Sequence, residues 1–288
     1  RNPAIDFSMP VDGSDPATDW QGLHTVDETI TITNPQNGWI QNANSTPFTA
    51  AAEFSPKRED YPVYMAPDPE NFRGVHAQRV LSDATDLTMD SLLELAYDPH
   101  LPGFEKLIPG LIDAWDASEK SASDMAEAIA ELREWDMTVS ADSVAMTLAH
   151  FYGMHYEDQG ANPNRLTGMD RVNYFGDGSP PAERLHLFAE TLTALEADYG
   201  SWKTPWGEVN RFQRLTGDIE LPFDDNKPSL GVGMASSRWG ALAAYGARRF
   251  PGTKRLYGYR GNSFVAVVEF GDRVRAKSIL AGGQSNDP

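Results

Sequence analysis

Along residues 25–34, TVDETITITN, apolar side chains at Val26, Ile30 and Ile32 alternate with polar neighbours, the period-two pattern of a half-buried strand. The run Asn34-Pro35-Gln36-Asn37-Gly38 predicts a turn, because Pro35 fixes its own φ and Gly38 can adopt positive φ. WIQNA reads as a second short strand, so the pair forms a hairpin that delivers Asn42 to Ser45 at a strand end. Behind Asp68-Pro69 the spacing becomes helical, with Phe72, Val75 and His76 on one face and Pro69 suited to the first turn. Thr88 and Asp90 open a helix carrying Leu92, Leu93 and Leu95, and further helices are predicted over 103–115, 122–134, 140–156 and 180–198. Glycines then crowd residues 231–261, and two strands follow, Phe264–Phe270 and Arg273–Leu280, joined by a tight Gly271-Asp272 turn. Strands at both ends of the chain with helices between them predict an α+β fold in which the helical part is a large excursion from the sheet.

Four segments follow from this pattern: a loop rich in Pro, Asp and Gly over 1–24, strands over 25–48, a helical block over 69–200, and a Gly-rich segment with strands over 205–288. The 288 residues, 40% of them hydrophobic, are enough to bury a core. A net charge of −18 gives poor electrostatics for gripping nucleic acid phosphates or anionic lipid, so neither nucleic acid nor membrane is expected as a partner. The charge is uneven: residues 82–142 hold fifteen acidic and three basic side chains, and residues 238–277 hold nine basic and two acidic ones. Docking of the two regions and plain solvation of both fit that asymmetry equally. Zero cysteines exclude disulfides, thiolate metal sites and cysteine nucleophiles. No apolar run reaches the roughly 18 residues of a membrane helix, and nothing at the start of the sequence reads as a signal peptide.

The motifs of four common catalytic classes are absent: no G-x-S-x-G, Walker loop, G-x-G-x-x-G or H-E-x-x-H occurs. His150 and His155, five apart on a predicted helix, fall on different faces, which argues against a shared metal. A glycosidase would need two carboxyls flanking one bond, and the sequence singles out no such pair. The asparagines after WIQ carry more chemistry. A carboxamide N–H held rigidly can donate to a developing oxyanion, which is one reading of Asn42 or Asn44. The other is that both bridge backbone groups in a turn. Asn44-Ser45-Thr46 is also a formal glycosylation sequon.

Several blocks in order, GWIQNANSTP, FRGVHAQRVL with Arg73 and Arg79 six apart, LREWDMTVSADS, WGEVNRF and GNSFVAVVEFGDRVRAKSILAGGQSNDP, resemble the penicillin acylase family of N-terminal-nucleophile (Ntn) hydrolases. Within it they are most similar to the branch of aculeacin-type and acyl-homoserine-lactone acylases, over Thr25 to Pro288. The resemblance implies a four-layer αββα fold and hydrolysis of the amide of an N-acylated small molecule: an acyl-homoserine lactone, a lipopeptide or a penicillin. Its N-x-N-[NS]-x-P pattern places the oxyanion-hole asparagine at Asn44, and its R-x₅-R pair places the bracing active-site arginine at Arg73, with Arg79 structural. The family's nucleophile is an N-terminal serine whose α-amino group serves as base. Residue 1 here is arginine. The resemblance therefore makes residues 1–288 part of a β-subunit, inactive alone, whose partners are the remainder of that subunit and an α-subunit of the same precursor. It implies no cofactor, leaves a structural calcium ion open, and points to the periplasm or a secreted location. A non-catalytic interaction module on the same fold is the first alternative the sequence leaves standing, and a glycosidase the second.

Overall fold

A computed structural model describes residues 2, 4–7, 9–20, 22–119, 123–215 and 222–280. The whole AGGQSNDP end of the last motif block, residues 281–288, and the expected helix start at 122 lie outside these. The chain divides into two compact units, Arg1–Ala84 and Thr85–Pro288.

The first unit is built from loops, short 3-10 turns and one helix, α1 (Phe72–Ser82). Its start differs from the sequence expectation. Asn71, not the region of Pro69, caps the helix, its side chain accepting from Gly74 N at 3.0 Å. The expected strands over 25–48 do not form. Val26–Glu28 is a 3-10 turn capped by Thr25 and Glu28, and the following residues pair with no strand partner among the described residues. The reason is burial: Val26 is 77% exposed, so the alternating pattern has no face to hide and no edge to pair with. The WIQNA segment is likewise irregular, held by Gln41 N donating to Ala50 O at 2.8 Å.

The second unit is α+β. Its helices are α2 (Met89–Ala96), α3 (Leu107–Asp116), α4 (Ser123–Glu134), α5 (Val144–Gln159), α6 (Gly168–Asp177), α7 (Pro181–Tyr199) and α8 (Trp206–Val209). Local chemistry fixes several ends. Thr88 and Ser91 form a capping box at α2, the Ser143 hydroxyl accepts from Met146 N at 3.0 Å at α5, and α7 starts on Pro181 and stops on Gly200 at φ 78°. Ten of the sixteen α5 residues are buried, which makes it the central helix, enclosed on most sides. α3 and α6 cross at a glycine contact. A Cβ on Gly110 would sit 2.0 Å from Gly176 O, and one on Gly176 would sit 2.6 Å from Lys106 O. Buried Arg184 closes the same region, donating to Gly110 O at 3.0 Å and Ser179 O at 2.7 Å.

Every described strand lies after residue 209, so the expected pairing of early with late strands is replaced by sheets made within the second unit. One sheet has the order β2-β1-β4-β3, from β1 (Asn210–Phe212), β2 (Leu230–Gly231), β3 (Tyr245–Arg248) and β4 (Leu256–Gly261). β1 runs parallel to β4, and the other two pairings are antiparallel. The other sheet is the hairpin of β5 (Phe264–Glu269) and β6 (Arg275–Leu280), in the register Phe264↔Leu280 to Glu269↔Arg275. The hairpin agrees with the sequence pattern, but residues 270–274 form its loop in place of a two-residue turn. Lys277 on β6 forms an ion pair with Asp90 on α2, a direct meeting of the basic and acidic regions.

Candidate active site

The site begins with a tight turn in the first unit. Asn42 Oδ1 accepts the Asn44 backbone N–H at 2.8 Å, and Asn44 adopts φ 55°, a left-handed conformation that asparagine tolerates better than most residues. The turn is tied to α1 from several directions. Asn71, while capping that helix through Oδ1, donates through Nδ2 to Ala43 O at 3.1 Å and Asn44 O at 3.2 Å. Thr46 N donates to Pro69 O at 3.2 Å, and Glu70 receives Thr49 Oγ1 together with Gln78 Nε2. Gly74 allows the approach, because a Cβ there would lie 2.7 Å from Ser45 Oγ. Beneath the turn the interior is polar: Gln41 is 7% exposed, and among the described residues neither its carboxamide atoms nor Ser45 Oγ meets a hydrogen-bond partner.

These ties bring Asn44 and Arg73 together although 29 residues separate them: Arg73 Nη2 donates to Asn44 Oδ1 at 2.9 Å. A guanidinium has donors only, so the atom it meets must be the carboxamide oxygen. Asn44 Nδ2 is thereby turned away as a donor, and it makes no hydrogen bond among the described residues. Partial burial draws the Arg73 pKa below its ordinary value, since desolvation disfavours charge, yet arginine stays protonated in any folded protein. Asn42 is committed to the turn backbone, so the two asparagines, alike in sequence, have different work. Arg79 is exposed further along α1. Asn71 and Glu70 were not singled out by the sequence pattern. The signal available for Asn71 was its place as a capping residue directly before Phe72.

Comparison with protein families matches residues 1–288 to penicillin amidase. The chain belongs to the penicillin amidase family. Membership brings the Ntn-hydrolase class and amide-bond hydrolysis, in agreement with the motif blocks in the sequence. For a penicillin amidase family member, a carboxamide donor fixed by an arginine is suited to a carbonyl oxygen that gains charge during reaction.

Among the described residues no three His, Asp or Glu side chains converge as metal ligands, so no ligand set for a calcium ion is assigned. The histidines of α5 do other things. His150 is enclosed by Phe151, Trp206 and Trp239, and its Nδ1 accepts from Trp239 Nε1 at 3.2 Å. His155 meets the Thr191 hydroxyl at 2.8 Å. Both border one cleft, although five residues of helix set them apart around α5.

Burial, with a smaller contribution from Arg238, pushes the His150 pKa down to about 3, and burial lowers His155 in the same direction. The unfolded chain therefore takes up these protons first. For His150, stability present above about pH 6.5 is lost as pH falls towards 3, at up to about 1.4 kcal/mol per pH unit. We expect urea unfolding between pH 7 and pH 5, above the range where carboxylates titrate, to show a loss of about 2 kcal/mol that His150→Gln largely removes. An unchanged pH slope in that variant would contradict the assignment.

Proposed function

We propose that these residues form the oxyanion-stabilising part of an acylase that hydrolyses the amide of an N-acylated small molecule: an acyl-homoserine lactone, a lipopeptide or a penicillin. The observation that carries the reading is the Arg73–Asn44 bond, which fixes the carboxamide with its N–H₂ outward. In the proposed reaction an N-terminal serine, supplied by polypeptide outside these 288 residues, attacks the amide carbonyl while its own α-amino group takes the hydroxyl proton. The C–O bond forms, the carbonyl oxygen becomes anionic, and Asn44 Nδ2 donates to it. Collapse breaks the C–N bond, with the proton delivered to the departing amine. Water then attacks the acyl-serine ester through a second oxyanion at the same donor, and the acid leaves.

The partners in this reading are the remainder of a β-subunit and an α-subunit of the same precursor, assembled in a four-layer αββα fold and acting outside the cytoplasm. Support for these finer points comes from the ordered motif blocks. The test is to incubate the mature enzyme with decanoyl-homoserine lactone, a long-chain lipopeptide and penicillin G, and to follow free acid and free amine by mass spectrometry. Stoichiometric release of both from at least one substrate is expected, with an acyl-serine adduct trapped on rapid acid quench. No release from any of the three, in enzyme whose N-terminal serine is verified, overturns the reading.

A further inference from the structure

In the second unit a cleft of about 400 Å³ opens between α5, α7 and the β3–β4 pair, a size within the ordinary range of small-molecule sites. Part of its lining is apolar, from Phe151 and Met154 of α5, Ala194 of α7 and Leu256 of β4. The rest includes four arginines and two aspartates, in a chain whose net charge is −18. Two of its four arginines are already neutralised, Arg238 by Glu157 and Arg249 by Asp198. Arg248 and Arg260 meet no carboxylate among the described residues.

A bulge positions those two arginines. In the β3–β4 ladder Gly246 pairs with Arg260 and Ala247 with Gly258, which leaves Tyr259 as the extra residue on β4. Bulges re-aim side chains, and here the Tyr259 ring lies against both guanidinium groups, 4.7 Å from Arg248 and 5.2 Å from Arg260. Gly246 completes the arrangement: a Cβ there would fall 2.6 Å from Arg260 Cγ, so the arginine stem lies across the glycine. His150 is neutral, with Nδ1 accepting from Trp239. The lining carboxylate without an arginine partner among the described residues is Asp158. Set against Arg248 and Arg260, it leaves one positive charge unbalanced.

We propose that this cleft binds an amphiphilic monoanion, a carboxylate carried on an apolar chain or ring, with Arg248 and Arg260 holding the carboxylate and Phe151, Met154, Ala194 and Leu256 surrounding the apolar part. A guanidinium fork matches a carboxylate in two parallel hydrogen bonds, and arginine stacked on an aromatic ring loses little freedom in making them. The apolar lining disfavours a bare inorganic anion, and the arginines disfavour an amphiphilic cation. The proposal does not depend on the amide-hydrolase reading.

Titration calorimetry of the protein with sodium octanoate, octylammonium chloride and inorganic phosphate tests it. Octanoate should bind saturably at one site, and the other two should not saturate in the same range. Arg248→Ala/Arg260→Ala, folded by circular dichroism and thermal melt, should raise the octanoate Kd at least about tenfold. Ala194→Trp, which fills the cleft from α7 and leaves both arginines in place, should abolish binding. Absent octanoate binding, equal binding of octylammonium or phosphate, or octanoate binding unchanged in either variant would each overturn the proposal.

Discussion

Asn44→Ala in the mature enzyme is expected to lower kcat by roughly 10²–10³-fold while KM changes only a few-fold, the signature of a donor used mainly when the carbonyl oxygen becomes anionic. The geometry adds a complication that the sequence alone does not disclose. Asn44 sits at φ 55°, where alanine is strained by about 1–2 kcal/mol, so a loss of activity in that variant mixes chemistry with backbone. Asn44→Gly separates the two, because glycine accepts the conformation and still removes the carboxamide. Both variants should lose turnover alike. Recovery of kcat in the glycine variant would assign Asn44 to shaping the turn. Asn42→Ala is the companion measurement: it removes the 2.8 Å bond to Asn44 N, worth about 1 kcal/mol, and should cost no more than about tenfold in kcat. If Asn42→Ala abolishes turnover and Asn44→Ala does not, the motif alignment that carries Arg73 must be redrawn with it.

The second large effect is on stability. Trp239→Ala should destabilise the protein by about 3–5 kcal/mol in urea or guanidinium unfolding. Trp239 is fully buried, stacked on Phe104 with ring centroids 4.6 Å apart, and its indole reaches Gly153, where a Cβ would lie 2.4 Å from Cη2. Its removal opens a cavity among α5 and the 3-10 turn Pro102–Phe104, and it also leaves His150 Nδ1 without its donor. Trp20→Ala is the control. That residue is 69% exposed, and its loss should stay within about 0.5 kcal/mol. A Trp239→Ala loss below about 1.5 kcal/mol would mean the surrounding helices collapse onto the gap more completely than close-packed interiors usually do.

The sequence was most informative where a short-range device decides the structure. Thr88 announced its helix because a hydroxyl cap is a local matter, and the β5–β6 hairpin announced itself because its two strands are each other's partner. The alternating run TVDETITITN misled for the complementary reason. A strand is a partnership, and Val26, Ile30 and Ile32 have none among the described residues. β1 was missed by the same logic reversed: three residues with no alternation to speak of become a strand because Leu256 and Tyr257 arrive beside them in parallel. α6 was findable, since Val172, Phe175 and Gly176 make a buried stripe at helical spacing, but its flanking glycines hid it. At the candidate site, the residues Asn44 and Arg73 came from the resemblance to a family, not from spacing. What no reading of the chain supplied is which way the carboxamide faces, since that depends on a hydrogen bond across 29 positions.

The crossing of α3 and α6 limits how this protein can vary. With Gly176 O 2.0 Å from where a Cβ of Gly110 would stand, and Lys106 O 2.6 Å from one on Gly176, the two helices touch backbone to backbone and leave no volume for any side chain. In a randomised library each of these positions would read as a single letter, filtered out when the chain folds and before any substrate is offered. A chimera assembled from divergent parents would have to take residues 106–110 and 176 from the same donor, whatever freedom it enjoyed elsewhere.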